Sequence, residues 1–213
     1  MKVIDLTHLI DSDMPVFPGT EKPIIKKANT LENDGFKEAI FTMFSHTGTH
    51  IDSPAHMLKN GFSLNKFDLQ KFIGKATVID FSTNKKKLID INDLKKYKNK
   101  IQSVDFLIIK TGWSNFWGEK RYFKDFPSLS ENAAKWITKF NLKGIGIDAI
   151  SIDDMDSKTF KVHKILMLNN IIIIENLTNL NSINEEYFTL SIMPLKIKDS
   201  DGAPIRAVGI ENI

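Results

Sequence analysis

Short apolar runs recur along the chain, and six of them have the length and composition of β-strands. They are rich in β-branched and aromatic residues, and turn-forming or charged residues separate them. Runs of this kind are typical of buried strands. The predicted strands lie in residues 36–45, 75–82, 104–112, 144–151, 170–177 and 188–197.

Two segments between these runs carry helix signals. In SLSENAAKWITKF (128–140), Ser128 and Glu131 have the spacing of a capping box, and apolar residues follow at helical intervals. INDLKKYKNKI (91–101) has a weaker apolar stripe. Strands and helices alternate from about residue 75 onward, after an N-terminal third that is rich in strands and turns. This order predicts an α/β or α+β fold with a mixed sheet.

Length and composition limit the class of protein. The chain has 213 residues, which fits a single domain over residues 1–213 that buries its core without disulfides. Because it contains no cysteine, a metal site must be built from imidazole and carboxylate, and a cytoplasmic location is expected. The N-terminus does not read as a signal peptide, and the most apolar window (165–177) is shorter than the ~20 residues of a membrane span. We therefore expect a soluble protein without a membrane partner.

The positive charges do not form a nucleic-acid-binding pattern. The net charge is +3, and the lysine clusters are diluted by acids such as Asp90 and Asp93. No aromatic platform or glycine-rich basic arm accompanies the lysines. We therefore expect solvated faces, no nucleic-acid partner and a small-molecule ligand.

Three of the five histidines lie within SHTGTHIDSPAHML (45–58). A helix is not expected there, because threonine, glycine and isoleucine are poor helix formers and Pro54 disfavours helical geometry before it. If the segment were straight and extended, His46 and Asp52 would lie ~20 Å apart, too far to share one metal ion. The chain must therefore bend, and Gly48 is the residue that can bend it while leaving room beside a metal.

The donors of this segment predict an open metal site. His46, His50 and Asp52 could hold a divalent ion and leave positions for water and substrate. His56, beyond Pro54, would then lie close enough to transfer protons without binding the metal. The alternative is a set of surface-loop histidines, but four donors within one short segment favour the metal site.

The segment HTGTHIDSPAH resembles the His-x-Gly-Thr-His-x-Asp-x-Pro-x-His signature of the cyclase family, which includes bacterial kynurenine formamidases and isatin hydrolases. The resemblance implies a cyclase-like swivelling β/β/α domain with a mixed sheet, and a homodimer or higher homo-oligomer. It extends over nearly the whole chain, through DLTHLIDSDMPVFPG (5–19), IIKTGW (108–113), GIGIDAISID (144–153) and DGAPIRAV (201–208).

The resemblance also implies a metal centre with one or two divalent ions per chain. Zinc is the favoured ion and manganese the alternative, since both accept histidine and carboxylate ligands. His56 takes the family's role in proton transfer. The implied ligands are His46, His50 and Asp52 for a first ion, and His163 and Glu175 for a second ion that Asp52 bridges to the first.

Several acidic and histidine side chains have more than one interpretation. Glu175 follows four isoleucines, where a buried carboxylate is costly unless a cation or donor compensates it; the alternative is a strand-end carboxylate turned to solvent. His8 is expected to pack or to form hydrogen bonds, without a catalytic role. Asp148, Ser151 and Asp153 are expected to be hydrogen-bond partners of the ligands or turn residues.

These features predict a metal-dependent hydrolase of a small amide, formamide or lactam, similar to an arylformamidase. One alternative is a hydrolase of another cyclic substrate, such as an isatin-like lactam, and another is a metal-dependent binding protein without turnover. His56 argues against the binding protein, which has no evident need for an unliganded histidine. Phe17 is expected to contact the substrate. It stands where the resemblance places a tryptophan of kynurenine formamidases, and this difference separates the chain from them.

Overall fold

A nine-stranded mixed sheet with helices packed against it forms the centre of the molecule. The structure, a computed structural model, describes residues 1–84 and 86–211. The strands are β1 (Lys2–Asp5), β2 (Ile24–Asn29), β3 (Glu38–Thr42), β4 (His50–Asp52), β5 (Ile73–Asp80), β6 (Leu88–Ile89), β7 (Phe106–Lys110), β8 (Ser128–Leu129), β9 (Gly144–Ile147), β10 (Ile172–Glu175), β11 (Phe188–Ser191), β12 (Gly202–Pro204) and β13 (Val208–Glu211). The helices are α1 (Leu31–Asp34), α2 (Ile91–Leu94), α3 (Lys98–Gln102), α4 (Glu131–Ile137) and α5 (Lys161–Leu168).

The order of strands in the large sheet is β1-β13-β11-β5-β7-β9-β10-β4-β12. The central strands β5, β7, β9 and β10 run parallel, whereas the pairs on both sides of them are antiparallel. Helices lie in the connections between the parallel strands, because a chain that returns to start a parallel neighbour needs a long crossover. The predicted α/β class with a mixed sheet is confirmed.

Strands β7, β9 and β10 are buried on both faces. In β7, Leu107 and Ile109 pack in an apolar cluster with the helices, and Phe106 and Ile108 pack in a second cluster on the opposite face. This alternation follows from the two-residue period of a strand. A strand that is covered on both sides reads as a continuous apolar run, which is why the sequence pattern locates it.

Each of the six predicted strand segments overlaps a strand, and the helix signal at 128–140 is confirmed as α4. The expected cap of that helix is wrong. Ser130, not Ser128, is the N-cap, and its Oγ accepts a hydrogen bond from the backbone N–H of Ala133. Ser128 lies in β8, where it pairs with β6. The segment 91–101 contains α2 and part of α3, separated by a short 3-10 turn.

Two elements that carry candidate site residues, β4 and α5, fall outside the predicted set. β4 has only three residues, too few for a visible alternation. α5 runs directly into the apolar residues of β10, so the two read as one window. Asn170, with φ 55°, makes the break between them.

β2 and β3 form a two-stranded hairpin that is separate from the large sheet. Large apolar side chains on this hairpin, residues 24–44, are exposed, including Phe41 at 64% and Ile40 at 56% of their maximal area. The sequence predicts no membrane-spanning segment. None of the helices in residues 1–84 and 86–211 combines the length and apolar character that crossing a bilayer requires.

Candidate active site

The short strand β4 lies between β10 and β12, and this placement assembles the candidate site. His50 is opposite Glu175 of β10, and Asp52 is opposite Gly202 of β12. Residues opposite each other in antiparallel strands have their side chains close together. Donors that are far apart in the sequence therefore meet at one edge of the sheet.

The predicted bend at Gly48 is present, and it brings the two ends of the motif together. Gly48 has φ 65°, and Nδ1 of His46 lies 2.6 Å from Oδ1 of Asp52. The space beside the Gly48 Cα holds Ile10, whose Cγ1 would lie 3.3 Å from an added Cβ. It is Gly202 that makes room for a site residue, because a Cβ there would lie 2.5 Å from Cε1 of His46.

We call His50, His163 and Glu175 the inner half of the site. All three are buried, with exposures of 3 to 5%. Nε2 of His50 lies 3.2 Å from Oδ1 of Asp52 and 3.6 Å from Oε2 of Glu175. Nε2 of His163 lies 3.3 Å from Oε1 of Glu175 and 3.5 Å from Oδ2 of Asp52. Two imidazoles thus face two carboxylates, and all four side chains are buried.

The other ring nitrogen of each inner histidine is held by an acceptor. Nδ1 of His50 is 2.8 Å from the carbonyl oxygen of Gly48, and Nδ1 of His163 is 2.6 Å from Oδ2 of Asp153. When Nδ1 donates to these oxygens, Nε2 of a neutral ring carries a lone pair that faces the carboxylates. A cation between these lone pairs and the carboxylates would make their convergence favourable, and hydrogen bonds of this kind are typical of metal-ligating histidines.

We call His46, His56 and Asp201 the outer half. Their side chains are 23%, 27% and 43% exposed. Oδ2 of Asp201 is 3.0 Å from Nε2 of His46 and 3.5 Å from Nδ1 of His56. The rings of His46 and His56 lie with their centroids 4.0 Å apart. The outer half therefore lies at the solvent side of Asp52.

Asp52 belongs to both halves, and its surroundings show whether the residues fit a metal. It is 1% exposed, and its Oδ2 has no hydrogen-bond partner among the described residues. A buried carboxylate oxygen without a donor is costly, and a divalent cation would compensate it. The donor atoms of His50, Asp52 and Glu175 lie within 4.8 Å of one another, and so do those of His46, Asp52 and His56. The donor set therefore fits a divalent metal.

This grouping differs from the one that the resemblance implies, which places His46 with His50 and leaves His56 without a metal. Here the donors of His50 gather with Glu175, and those of His46 gather with His56. The division of ligands between ions thus stays a prediction. The two groupings differ in whether His56 is a metal ligand.

The charges of the site compensate each other. Burial alone would raise the pKa of Asp52, but the charges of His46 and His50 lower it well below its usual range. Burial would lower the pKa of His46, but the charge of Asp52 and the hydrogen bond to Asp201 raise it to about 10. Burial would lower the pKa of His163, but the hydrogen bond to Asp153 and the charge of Glu175 raise it well above its usual value. The raised pKa values of the two histidines indicate a site that favours a cation.

Three residues were each expected to be either a hydrogen-bond partner of a ligand or a turn residue. They are Asp148, Ser151 and Asp153, and they have different roles. Asp153 holds His163, as described above. Asp148 accepts hydrogen bonds from the backbone N–H groups of Thr111 and Gly112 and shapes the loop after β7. Ser151 lines the cavity beside the site, and its Oγ accepts a hydrogen bond from the N–H of Asp153.

His8 lies outside both halves and packs, as expected. Its ring stacks on Trp117, with centroids 3.8 Å apart and an interplanar angle of 6°. Burial lowers its pKa to about 4, and Nε2 has no hydrogen-bond partner in the described part of the chain. The ring is therefore held neutral by packing.

Sequence reasoning missed two residues that hold the site. Asp201 received no role, although its segment resembles a family motif. Asn176 donates from Nδ2 to the carbonyl oxygen of Gly48 at 2.8 Å and accepts from the hydroxyl of Tyr122 at 2.7 Å. Because Gly48 also accepts from His50, Asn176 helps to orient that ring. The sequence signal for Asn176 is a polar residue directly after Glu175, and the structure adds its left-handed backbone, with φ 57°.

A cavity of about 310 Å³ opens in front of these residues. His46, His50, Asp52, His56, His163 and Glu175 all line it. Phe17 lies on its apolar wall, at the position expected for a substrate contact. The other apolar residues of the wall are Pro15, Val16, Phe44, Met57, Ile150 and Phe160.

Comparisons with known proteins agree with this arrangement. The model of the "Cyclase" family, described as "Putative cyclase", matches residues 4–154. Kynurenine formamidase of Geobacillus thermodenitrificans is 33% identical over 206 residues, which cover 96% of this chain and 95% of the relative.

Two solved structures are also similar. An isatin hydrolase bound to the product analogue thioisatinate has a TM-score of 0.90 at 23% identity, covering 100% of this chain and 93% of the other, and shows the fold. A potential metal-dependent hydrolase with cyclase activity has a TM-score of 0.83 at 29% identity, covering 100% and 98%.

Proposed function

The chain belongs to the Cyclase family, and on that basis we propose that it is a metal-dependent hydrolase that cleaves the C–N bond of a small amide, formamide or lactam. The observation that carries the proposal is the buried cluster of imidazoles around the unpartnered carboxylate oxygen of Asp52, at the base of an apolar cavity. The kynurenine formamidase relative, matched over nearly its whole length, supports the same reaction type.

The residues support one or two divalent ions, with zinc favoured and manganese as the alternative. A divalent ion in such a site supplies a water of lowered pKa and polarises the carbonyl group of a substrate. Asp52, between the two halves, would contact both ions. The ligands are expected to be His46, His50 and Asp52 for one ion, and Asp52, His163 and Glu175 for the other.

His56 is proposed to transfer the proton. It lines the cavity, and burial lowers its pKa, so its ring is neutral at pH 7 and can accept a proton. It can then donate that proton to the departing nitrogen, which must be protonated before it leaves as an amine. Its partly exposed position at the solvent side of Asp52 suits a residue that exchanges protons with water.

The cavity supports a substrate with one aromatic ring. Phe17 and Phe44 offer flat apolar faces, and a phenylalanine at position 17 can stack but has no N–H to donate. We propose an aryl or apolar acyl amide, with N-formylkynurenine as one candidate. The favoured alternative is an isatin-like lactam, which would fill the same apolar wall.

Steady-state assays of the metal-loaded protein should compare formylkynurenine, isatin and simple aryl formamides, with the metal-free protein as the control. We expect turnover of at least one of them only with metal. The variant Phe17→Trp should improve formylkynurenine turnover if an indole donor is what the site lacks. Failure of the loaded protein to turn over any of these compounds would contradict the hydrolase proposal and favour a binding protein.

A cytoplasmic, homo-oligomeric protein is also proposed. The apolar hairpin at residues 24–44 supports an interface with a second copy, because an isolated two-stranded ribbon is marginally stable in water. Phe44, at the base of this hairpin, lines the cavity, so a second copy would lie near its entrance.

Sedimentation should show a dimer or larger species that Phe41→Glu weakens. Leu9→Glu, at an exposed apolar position outside the hairpin, is the control; a monomeric parent would refute the proposal.

A further inference from the structure

We propose that Asp201 is a positioning residue that fixes the ring orientation and the protonated nitrogen of His46. The inference rests on the proposed function only in that it takes the site to be a metal centre. Asp201 is not among the described residues that line the cavity, so it acts through His46 and does not touch the substrate.

One carboxylate oxygen of Asp201 lies beside both rings and forms a hydrogen bond with His46. Oδ2 lies 3.0 Å from Nε2 of His46, at hydrogen-bond distance, and 3.5 Å from Nδ1 of His56, without a hydrogen bond. An ionised carboxylate accepts hydrogen bonds and cannot donate them. Nε2 of His46 must therefore carry the hydrogen when it bonds to Asp201.

The consequence concerns the ligand atom of His46. With Nε2 of His46 protonated, its Nδ1, which lies 2.6 Å from Oδ1 of Asp52, is the nitrogen left to bind a metal. The carboxylate of Asp201 thus sets the ring of His46 for ligation.

Asp201 itself is held firmly by β4. Its carbonyl oxygen accepts hydrogen bonds from the N–H and the hydroxyl of Ser53, at 2.8 and 2.9 Å. The next residue, Gly202, lies against the ring of His46, where a Cβ would not fit. The main chain on both sides of the carboxylate is therefore fixed relative to the histidine.

The same device occurs at the other two predicted histidine ligands. The carbonyl oxygen of Gly48 holds His50, and Asp153 holds His163. With Asp201 on His46, each of the three rings has an acceptor on the nitrogen that does not face Asp52. Such partners orient metal ligands and make them more basic, and their loss typically lowers metal affinity or activity by ~10- to 100-fold.

The test is zinc affinity, measured by competition with a chelator, for Asp201→Ala and Asp201→Asn. We expect affinity to fall by ~10- to 100-fold in Asp201→Ala and by less in Asp201→Asn, whose amide oxygen can still accept a hydrogen bond. Asp199→Asn is the matched control, because Asp199 is a nearby exposed carboxylate whose closest cation is Lys66 at 3.8 Å. It should bind zinc like the parent.

A spectroscopic measurement separates positioning from a general effect on folding. In the zinc-loaded parent, ¹⁵N spectra of the histidines should show Nε2 of His46 protonated, and Asp201→Ala should lose or shift that signal.

If the parent is active, kcat of Asp201→Ala should be lower than that of the parent, while KM stays within about twofold, since Asp201 does not contact substrate.

Unchanged zinc affinity in both variants, or reduced affinity with unchanged histidine signals, would overturn the proposal. If Asp201→Ala does not fold, the isosteric Asp201→Asn decides. Because zinc affinity needs no substrate, a parent without hydrolase activity would refute the proposed function and leave this test intact.

Discussion

The two halves of the site contain similar residues in different surroundings. The inner histidines, His50 and His163, are 4% and 3% exposed, and their partners are a main-chain carbonyl and a buried carboxylate. The outer histidines are about a quarter exposed and lie beside Asp201, a half-exposed side chain. Burial suits the inner half to retain an ion, whereas access to water suits the outer half to move protons.

Asp52 is the residue that joins the halves, so its removal should have the largest effect. Asp52→Asn keeps the shape of the side chain but removes the charge around which the histidines gather. We expect the purified and dialysed variant to contain almost no divalent metal and to have no metal-dependent activity. Elemental analysis against the parent and Asp199→Asn checks this. Equal metal content in Asp52→Asn and the parent would show that the two halves do not share a ligand.

The comparison predicts that His56→Ala affects chemistry and not metal retention. Turnover should fall by about 10²- to 10⁴-fold, the usual scale for a general acid or base. Metal content and thermal unfolding should stay close to those of the parent. If metal is lost as well, His56 is a ligand, and the grouping of its donors with those of His46 and Asp52 describes the bound state.

Asp153→Asn tests the inner half through its hydrogen-bond partner. The amide can still accept from Nδ1 of His163, but the negative charge that holds the ring is lost. We expect a ~10- to 100-fold decrease in zinc affinity. Asp154→Asn, the neighbouring acid, is exposed and serves as the control. An Asp153→Asn variant with the affinity of the parent would mean that burial alone is enough to orient His163.

The smallest effect is expected from His8, the one histidine that belongs to neither half. Its pKa in the folded protein is about 4, below the usual 6.5. Between these values the unfolded chain binds a proton that the folded chain does not, so stability falls as the pH is lowered from 6.5 to 4. This contribution amounts to at most ~3 kcal/mol.

His8→Phe keeps a flat ring on Trp117 and cannot titrate. Denaturant unfolding at several pH values should therefore show a weaker acid destabilisation in this variant than in the parent. Identical pH dependence in the two proteins would mean that the stacked ring is protonated as easily in the folded chain as in the unfolded chain.

The sequence was most informative where one property dominates. Continuous apolar runs located β7, β9 and β10, because those strands are covered on both faces. The motif around Gly48 predicted a bent donor segment, and the structure has that bend. The resemblance supplied His163 and Glu175, which lie beside it. The ligand set and the single domain over the whole chain stay predictions.

What the sequence could not supply depends on pairing between distant segments. The Ser128 cap was wrong because that residue pairs in β8, which its local spacing does not reveal. β4 is too short to show a period, and its neighbours are remote. The acceptor role of Asp201 depends on the β4–β12 pairing, so no local pattern around residue 201 predicts it.

The position of β4 also has a consequence for synthesis of the protein. β4 leaves the ribosome early, yet both strands that flank it, β10 and β12, come from the last fifth of the chain. At ~5–20 residues per second, the interval between β4 and β12 is on the order of ten seconds. During that time the donors of the motif have no partner strands, and long-range pairing of this kind is slow to form. The metal is therefore expected to enter a nearly complete chain, as one of the last steps of its maturation.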